Sequence, residues 1–139
     1  MSSFLDSSVL IAALAPDEDR HVESLALLMQ GGNVAYAHAL LETFSTLTGG
    51  RLGIKVDADL AAQLLSETIL PRVRIIELSG EELLAALRQA RKHGVRGGGV
   101  YDFMHLIAAR KALATTLYTL NLSDFQHLRR DGDPDIQLP

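Results

Sequence analysis

The chain contains no cysteine among its 139 residues, which excludes a disulfide framework and any thiolate metal site. The absence suits a reducing compartment. No apolar run approaches the ~20 residues that a transmembrane helix requires. The N-terminus shows neither the basic start nor the long apolar stretch of a signal peptide, so the expected location is cytoplasmic, with no membrane partner. An excess of cations is also missing: 13 Lys+Arg stand against 17 Asp+Glu, a formal charge of −4. Proteins that hold nucleic acid mainly through its phosphates are usually basic. Any nucleic-acid role here must therefore use a local cationic patch or metal ions. Aromatic residues make up only 5%, so stacking platforms for single-stranded bases are scarce. Repeats, low-complexity tracts and long linkers are absent, and residues 1–139 read as a single domain. A domain of that size buries roughly 68–70% of its unfolded surface.

What is present is an alternation of short apolar strands with amphipathic helices. "SSFLD" reads as a first buried strand and "SSVLIAALA" as a short helix that Pro16 ends. "VESLALLMQGG" reads as a helix with Gly31 as its C-terminal cap, "NVAYA" as a second strand, and "HALLETFSTLTGG" as the helix after it. Asp57 is placed to cap "ADLAAQLLSETIL", which Pro71 punctuates. "VRIIEL" is a third strand. Ser79 and Glu82 then stand at capping-box spacing ahead of "ELLAALRQARKHG", a helix predicted to carry Arg88, Arg91, Lys92 and His93 toward its C-terminus. The glycine loop "VRGGGV" precedes the helix "YDFMHLIAARKALA". The strand "TTLYTL", the loop "NLSDF" and the tail "DPDIQLP", with a last short strand, complete the chain. Such alternation implies βαβ units and a parallel sheet covered on both faces, with the ligand crevice beyond the carboxyl ends of the strands.

Three acids sit where core patterning would not put them. Asp6 follows the first strand, Glu42 lies inside an otherwise apolar helix, and Asp102 opens a late helix. Asp is disfavoured in strands, and a charge withdrawn from water is costly unless paired or bound to a metal. Each acid also has a plainer reading. Asp6 suits a helix N-cap, Glu42 a solvated helix face, and Asp102 a first-turn acid favoured by the dipole. Near the chain end "TLNLSDF" gathers Thr119, Asn121, Ser123 and Asp124, the last suited to a turn. His105, three residues after Asp102, shares its helix face and reads as a packing or hydrogen-bonding histidine. With no cysteine and no histidine pair at ligand spacing, zinc is not expected.

Taken jointly, "FLDSSVLIAAL", "ALLETFSTLTG", "YDFMHLIAARKALA" and "LYTLNLSDF" resemble the PIN domain family, and within it the VapC-like toxins of toxin–antitoxin pairs. The resemblance spans nearly the whole chain. It implies a three-layer α/β/α sandwich with a parallel sheet of four to five strands. It also implies an endoribonuclease dependent on Mg²⁺ or Mn²⁺, with Asp6, Glu42 and Asp102 as the acidic metal site. Ser8 falls at a small polar position after the first Asp, and Thr119 precedes the fourth acidic position. There this sequence departs from the family, which often has Asp where Asn121 stands. Either Asn121 or Asp124 completes the site, and the substitution bears on whether one ion or two are held.

Mg²⁺ prefers oxygen ligands and retains several waters, which is why such a site is built from carboxylates. An acidic pocket repels RNA unless a rim compensates, and Arg88, Arg91, Lys92 and Arg96 beside the glycine loop are the candidate phosphate contacts. Tyr36 and Tyr101 are the aromatics near the inferred crevice. The resemblance further implies a homodimer and an antitoxin whose C-terminal segment lies across the site. Apolar surface for both is expected at "VESLALLMQ" and "ALLETFSTLTGGRLGI". Three alternatives remain: a housekeeping RNA-processing nuclease, a non-catalytic PIN-like binding module, and a phosphotransferase using Asp6 as nucleophile. The last usually wants a second acid where this chain has Ser8.

Overall fold

The computed structural model describes residues 2–50, 53 and 55–139. Among these, five strands form one parallel sheet in the order β3-β2-β1-β4-β5: β1 Ser3–Leu5, β2 Asn33–Tyr36, β3 Val73–Ile76, β4 Thr116–Tyr118 and β5 Asp135–Gln137. Seven α-helices connect them: α1 Ser7–Leu14, α2 His21–Gln30, α3 His38–Thr48, α4 Ala58–Leu64, α5 Gly80–Leu87, α6 Gly99–Lys111 and α7 Leu122–Leu128. The α/β/α sandwich with a parallel sheet is therefore the observed fold, at the upper strand number expected.

Side chains of successive strand residues point to opposite faces, and both faces here are apolar, as a helix-covered parallel sheet requires. Phe4 and Val34 face a core with Phe103, Leu106 and Phe125 of α6 and α7. Their neighbours Leu5 and Ala35 face a second core with Val9, Leu10, Leu28 and Ala39 of α1, α2 and α3. The Phe103 side chain is fully buried, and its truncation to alanine should cost about 3–5 kcal/mol. The chain winds outward from β1 through β2 to β3 with helices on one face. It then returns beside β1 as β4 with helices on the other, since parallel crossovers keep one hand. The direction of winding reverses between β1 and β4. A crevice opens at such a switch point.

Several local expectations hold. Gly31 follows α2 as its cap with φ 75°, Asp57 stands at the N-cap of α4, and Ser79 with Glu82 forms a full capping box on α5. Others are corrected. The helix expected over "ELLAALRQARKHG" stops at Leu87, and a separate 3₁₀ turn covers Ala90–His93. Arg88, Arg91, Lys92 and His93 therefore lie past the α-helix rather than in its last turns. The helix begun by Asp57 gives way to a π turn over Leu65–Ile69 and a 3₁₀ turn over Leu70–Arg72, which delivers Pro71 at its start, where its missing N–H is harmless. The stretch "NLSDF", expected as a loop, is the beginning of α7, anchored by the fully buried Phe125. Part of the surface expected for partners, at Arg51, Leu52 and Ile54, lies outside the described residues.

Candidate active site

Asp6 stands at the carboxyl end of β1, and its side chain serves as the helix N-cap that the plainer reading of it expected. Its Oδ1 caps α1 by accepting the Val9 N–H at 3.2 Å and also accepts the Ser8 hydroxyl at 2.5 Å. Its Oδ2 accepts the Thr119 hydroxyl at 2.6 Å from the end of β4. Ser8 and Thr119 reach further: Ser8 Oγ accepts the Leu120 N–H, and Thr119 Oγ1 accepts the Asn121 N–H, each at 2.9 Å. The two serine and threonine hydroxyls thus stitch the exit of β1 to the exit of β4 through Asp6. Burial pushes the Asp6 carboxyl above its usual range, against the opposing pull of His105 and of these hydrogen bonds.

Glu42 projects from α3 into the same crevice, where donors hold it. His105 Nε2 donates to Glu42 Oε1 at 2.6 Å, His38 Nδ1 donates to the same oxygen at 3.0 Å, and Ser7 Oγ donates to Oε2 at 3.1 Å. A carboxylate only accepts, so these bonds fix which ring nitrogens carry protons. Burial pushes Glu42 up, but the two histidines overcome it and bring the carboxyl down to about 2. His105 is 1% exposed, and its Nδ1 has no partner among the described residues. Around it, Tyr36 packs edge-on to His105 with ring centroids 5.7 Å apart, and His38 stacks on Tyr101 at 5.1 Å.

Asp102, in the first turn of α6, is the opposite case. No hydrogen bond reaches its carboxylate among the described residues. Burial and the charges of Asp6, Asp124 and Glu42 push it up to about 6, against the pull of His105. Like charges near one carboxyl raise its pKa in this way. A cleft of about 370 Å³ opens on this side, lined by Asp102, Asp124, Arg96, His127 and the glycines Gly94, Gly98 and Gly99. A second, of about 390 Å³, is lined by Ser7, His38, Leu41, Glu42, Ser45 and Thr46.

The crevice therefore brings together Asp6, Glu42, Asp102, Ser8 and Thr119, with Asp124 lining the cleft of Asp102. Asn121 caps α7 without using its side chain and is exposed. Of the four candidate cations only Arg96 lines the cleft; Arg88, Arg91 and Lys92 are exposed elsewhere on the segment. Among the described residues no three His, Asp or Glu side chains form a ready-made metal cage, because Asp6 and Glu42 turn their oxygens to protein donors. The acids left open to an outside cation are Asp102 and Asp124. Sequence reasoning passed over His38, Ser7 and His127. His38 carries a legible signal, four residues before Glu42 and so on the same helix face.

Solved structures share the fold, among them the following three. The Mycobacterium tuberculosis VapC20 toxin, described as cleaving the sarcin–ricin loop, is 20% identical with a TM-score of 0.70, over 95% of this chain and 99% of that one. The VapBC2 complex of Rickettsia felis on a promoter DNA fragment is 18% identical with a TM-score of 0.68, covering 100% of this chain and 99% of that one. FitAcB of Neisseria gonorrhoeae is 19% identical with a TM-score of 0.63, covering 96% and 95%. No curated protein matches by sequence. Residues 3–130 match the PIN domain family, to which the chain belongs.

Proposed function

We propose that this PIN domain is a metal-dependent endoribonuclease acting as the toxin of a VapBC-like pair. The observation that carries the reading is the Asp102 carboxyl, which lines a cleft with Asp124 and meets no hydrogen-bond donor among the described residues; burial and neighbouring acids push it up to about 6. A crevice that concentrates negative charge at the switch point of the sheet favours a cation from outside. Hard carboxylate oxygens are the donors that Mg²⁺ or Mn²⁺ takes, and an ion that keeps several waters needs only one or two of them. Asp102 and Asp124 would hold it directly, with Asp6 behind them and Glu42 at the edge. When bound, the ion would lower the pKa of a water and balance charge on the phosphoryl group under attack.

The chain's own residues do the rest. Ser8 and Thr119 hold Asp6 in one orientation, and His105, His38 and Ser7 hold Glu42. Arg96 and the bare glycine amides at the lip of the cleft are placed for a phosphate. Asp124, rather than Asn121, supplies the further charge beside Asp102. VapBC2 and FitAcB are among the structural neighbours, which supports an antitoxin partner here. Exposed Leu41, Val22 and Met29 on α3 and α2 offer apolar surface for that partner or for a homodimer.

Cleavage of an RNA strand by metal-stripped protein, with Mg²⁺ or Mn²⁺ added back, tests the proposal. Activity that needs the ion and disappears in Asp102→Asn supports it; activity indifferent to either refutes it. Growth arrest relieved by co-expression of a small partner separates a toxin from a housekeeping nuclease. No ion binding by calorimetry would leave a non-catalytic PIN module.

A further inference from the structure

His38, which lines the cleft of Glu42, stacks on two tyrosine rings. His38 stacks on Tyr36 with centroids 6.2 Å apart and planes 26° apart, and on Tyr101 at 5.1 Å and 11°. The series is fixed at its centre, because His38 Nδ1 is bonded to Glu42. It is fixed again at its base, because Tyr36 packs edge-on against the buried His105. Tyr101 ends the series. It precedes Asp102 on α6 and is 52% exposed. One ring face packs on His38, and about half of the residue remains exposed. A large aromatic ring in water beside an acidic crevice has no role in the core.

We propose that the outer face of Tyr101 is a stacking subsite for one unpaired nucleobase of the strand presented to Asp102. This rests on the nuclease reading above and adds to it where a base is held. A base needs only a π-face to stack, so such a shelf tolerates sequence while demanding that the base be unpaired. The chain has few aromatics to spend on substrate, and this one is braced by His38, itself stacked on Tyr36. Bracing matters because a ring already held in place loses little freedom when a base lands on it. The subsite selects strands, loops or bulges whose bases are splayed, and disfavours continuous duplex.

Short single-stranded oligoribonucleotides carrying 2-aminopurine, moved one position at a time, provide the probe. Binding is measured in Mg²⁺ with the Asp102→Asn protein, so that the strand stays intact. With Tyr101 present, the fluorophore is quenched at one position. Tyr101→Phe keeps both the quench and the affinity. Tyr101→Ala loses the quench and weakens binding about 5- to 150-fold, the range for one stacked base. A strand abasic at that position binds the Tyr and Ala proteins alike. Thermal melting of Tyr101→Ala should match its parent, since the residue is half exposed. Equal affinity of the Tyr, Phe and Ala proteins for the intact strand overturns the subsite, as does a loss that the abasic strand shares. If the unsubstituted protein cleaves RNA in the same experiment, the nuclease reading survives that failure. If it neither cleaves nor binds RNA, both fall together.

Discussion

Asp102 and Glu42 face one crevice in opposite electrostatic states. Glu42 is met by two histidines and a serine and is brought down to about 2. Asp102 meets other acids and is pushed up to about 6. One carboxylate has been neutralised from within the fold, and the other waits for charge from outside. The contrast teaches that clustering of acids does not by itself assign equal roles. Glu42 is held by protein donors, whereas Asp102 carries a charge that no donor among the described residues relieves.

The strongest way to break this comparison is to remove each charge in turn. Asp102→Asn should lower RNA cleavage by about 10²- to 10³-fold or more without lowering the melting temperature. Glu42→Gln should reduce the melting temperature, because it leaves His38 and His105 without a charged acceptor. Equal melting losses in the two variants would show that the crevice treats both acids alike.

Adding Mg²⁺ sharpens the comparison next. An ion that binds only the folded state at 100 times its Kd stabilises it by about 2.7 kcal/mol, several degrees in a calorimetric scan. The shift should be greater at pH 7.5 than at pH 5, where Asp102, with its pKa of about 6, holds a proton. It should vanish in Asp102→Asn. A persistent shift in that variant would move the ion elsewhere.

On the Glu42 side, His105→Leu removes a buried donor and should cost about 1–3 kcal/mol by urea denaturation at pH 7. An unchanged urea midpoint would mean that the 2.6 Å bond adds nothing. The two acids also give opposite pH limbs in metal-free protein. Between about pH 4 and 6 the folded state keeps a proton on Asp102 that the unfolded chain, at its ordinary 3.8, has released. Stability therefore falls as pH rises through that window. Below Glu42's ordinary 4.5 the unfolded chain takes up a proton that the folded state resists down to about 2, so stability falls as pH falls. Both groups are partly exposed and solvent screening keeps each limb small. Asp102→Asn should flatten the upper limb and Glu42→Gln the lower. The smallest effect is expected at the rim: Arg96→Ala should raise KM about two- to fivefold with kcat unchanged, and Arg91→Ala should leave both unaltered.

The layers of the fold were legible because strand and helix periods are written locally. "SSFLD" and "NVAYA" are apolar on both faces, as a covered parallel sheet demands. The break after Leu87 was not legible, because "LRQARK" is as good a helix sequence beyond the break as before it. Nor was α7, whose seven residues are mostly polar and take their helicity from Phe125 docking in the core. In the site, Asp6 announced itself as a charge between apolar runs. The His105–Glu42 bond joins residues 63 apart, and no local pattern encodes such a meeting. The choice between Asn121 and Asp124 likewise turns on where the first turn of α7 aims its side chains, which becomes visible only once that helix is known to exist.

Asp6 fastens the start of α1, the exit of β4 and the acidic crevice with a single side chain. Replacing it would loosen the seam between the two halves of the sheet while also altering the chemistry. An inactive Asp6 variant would thus be ambiguous evidence about catalysis. Asp102, whose carboxylate bonds to nothing among the described residues, is the cleaner place to switch the protein off.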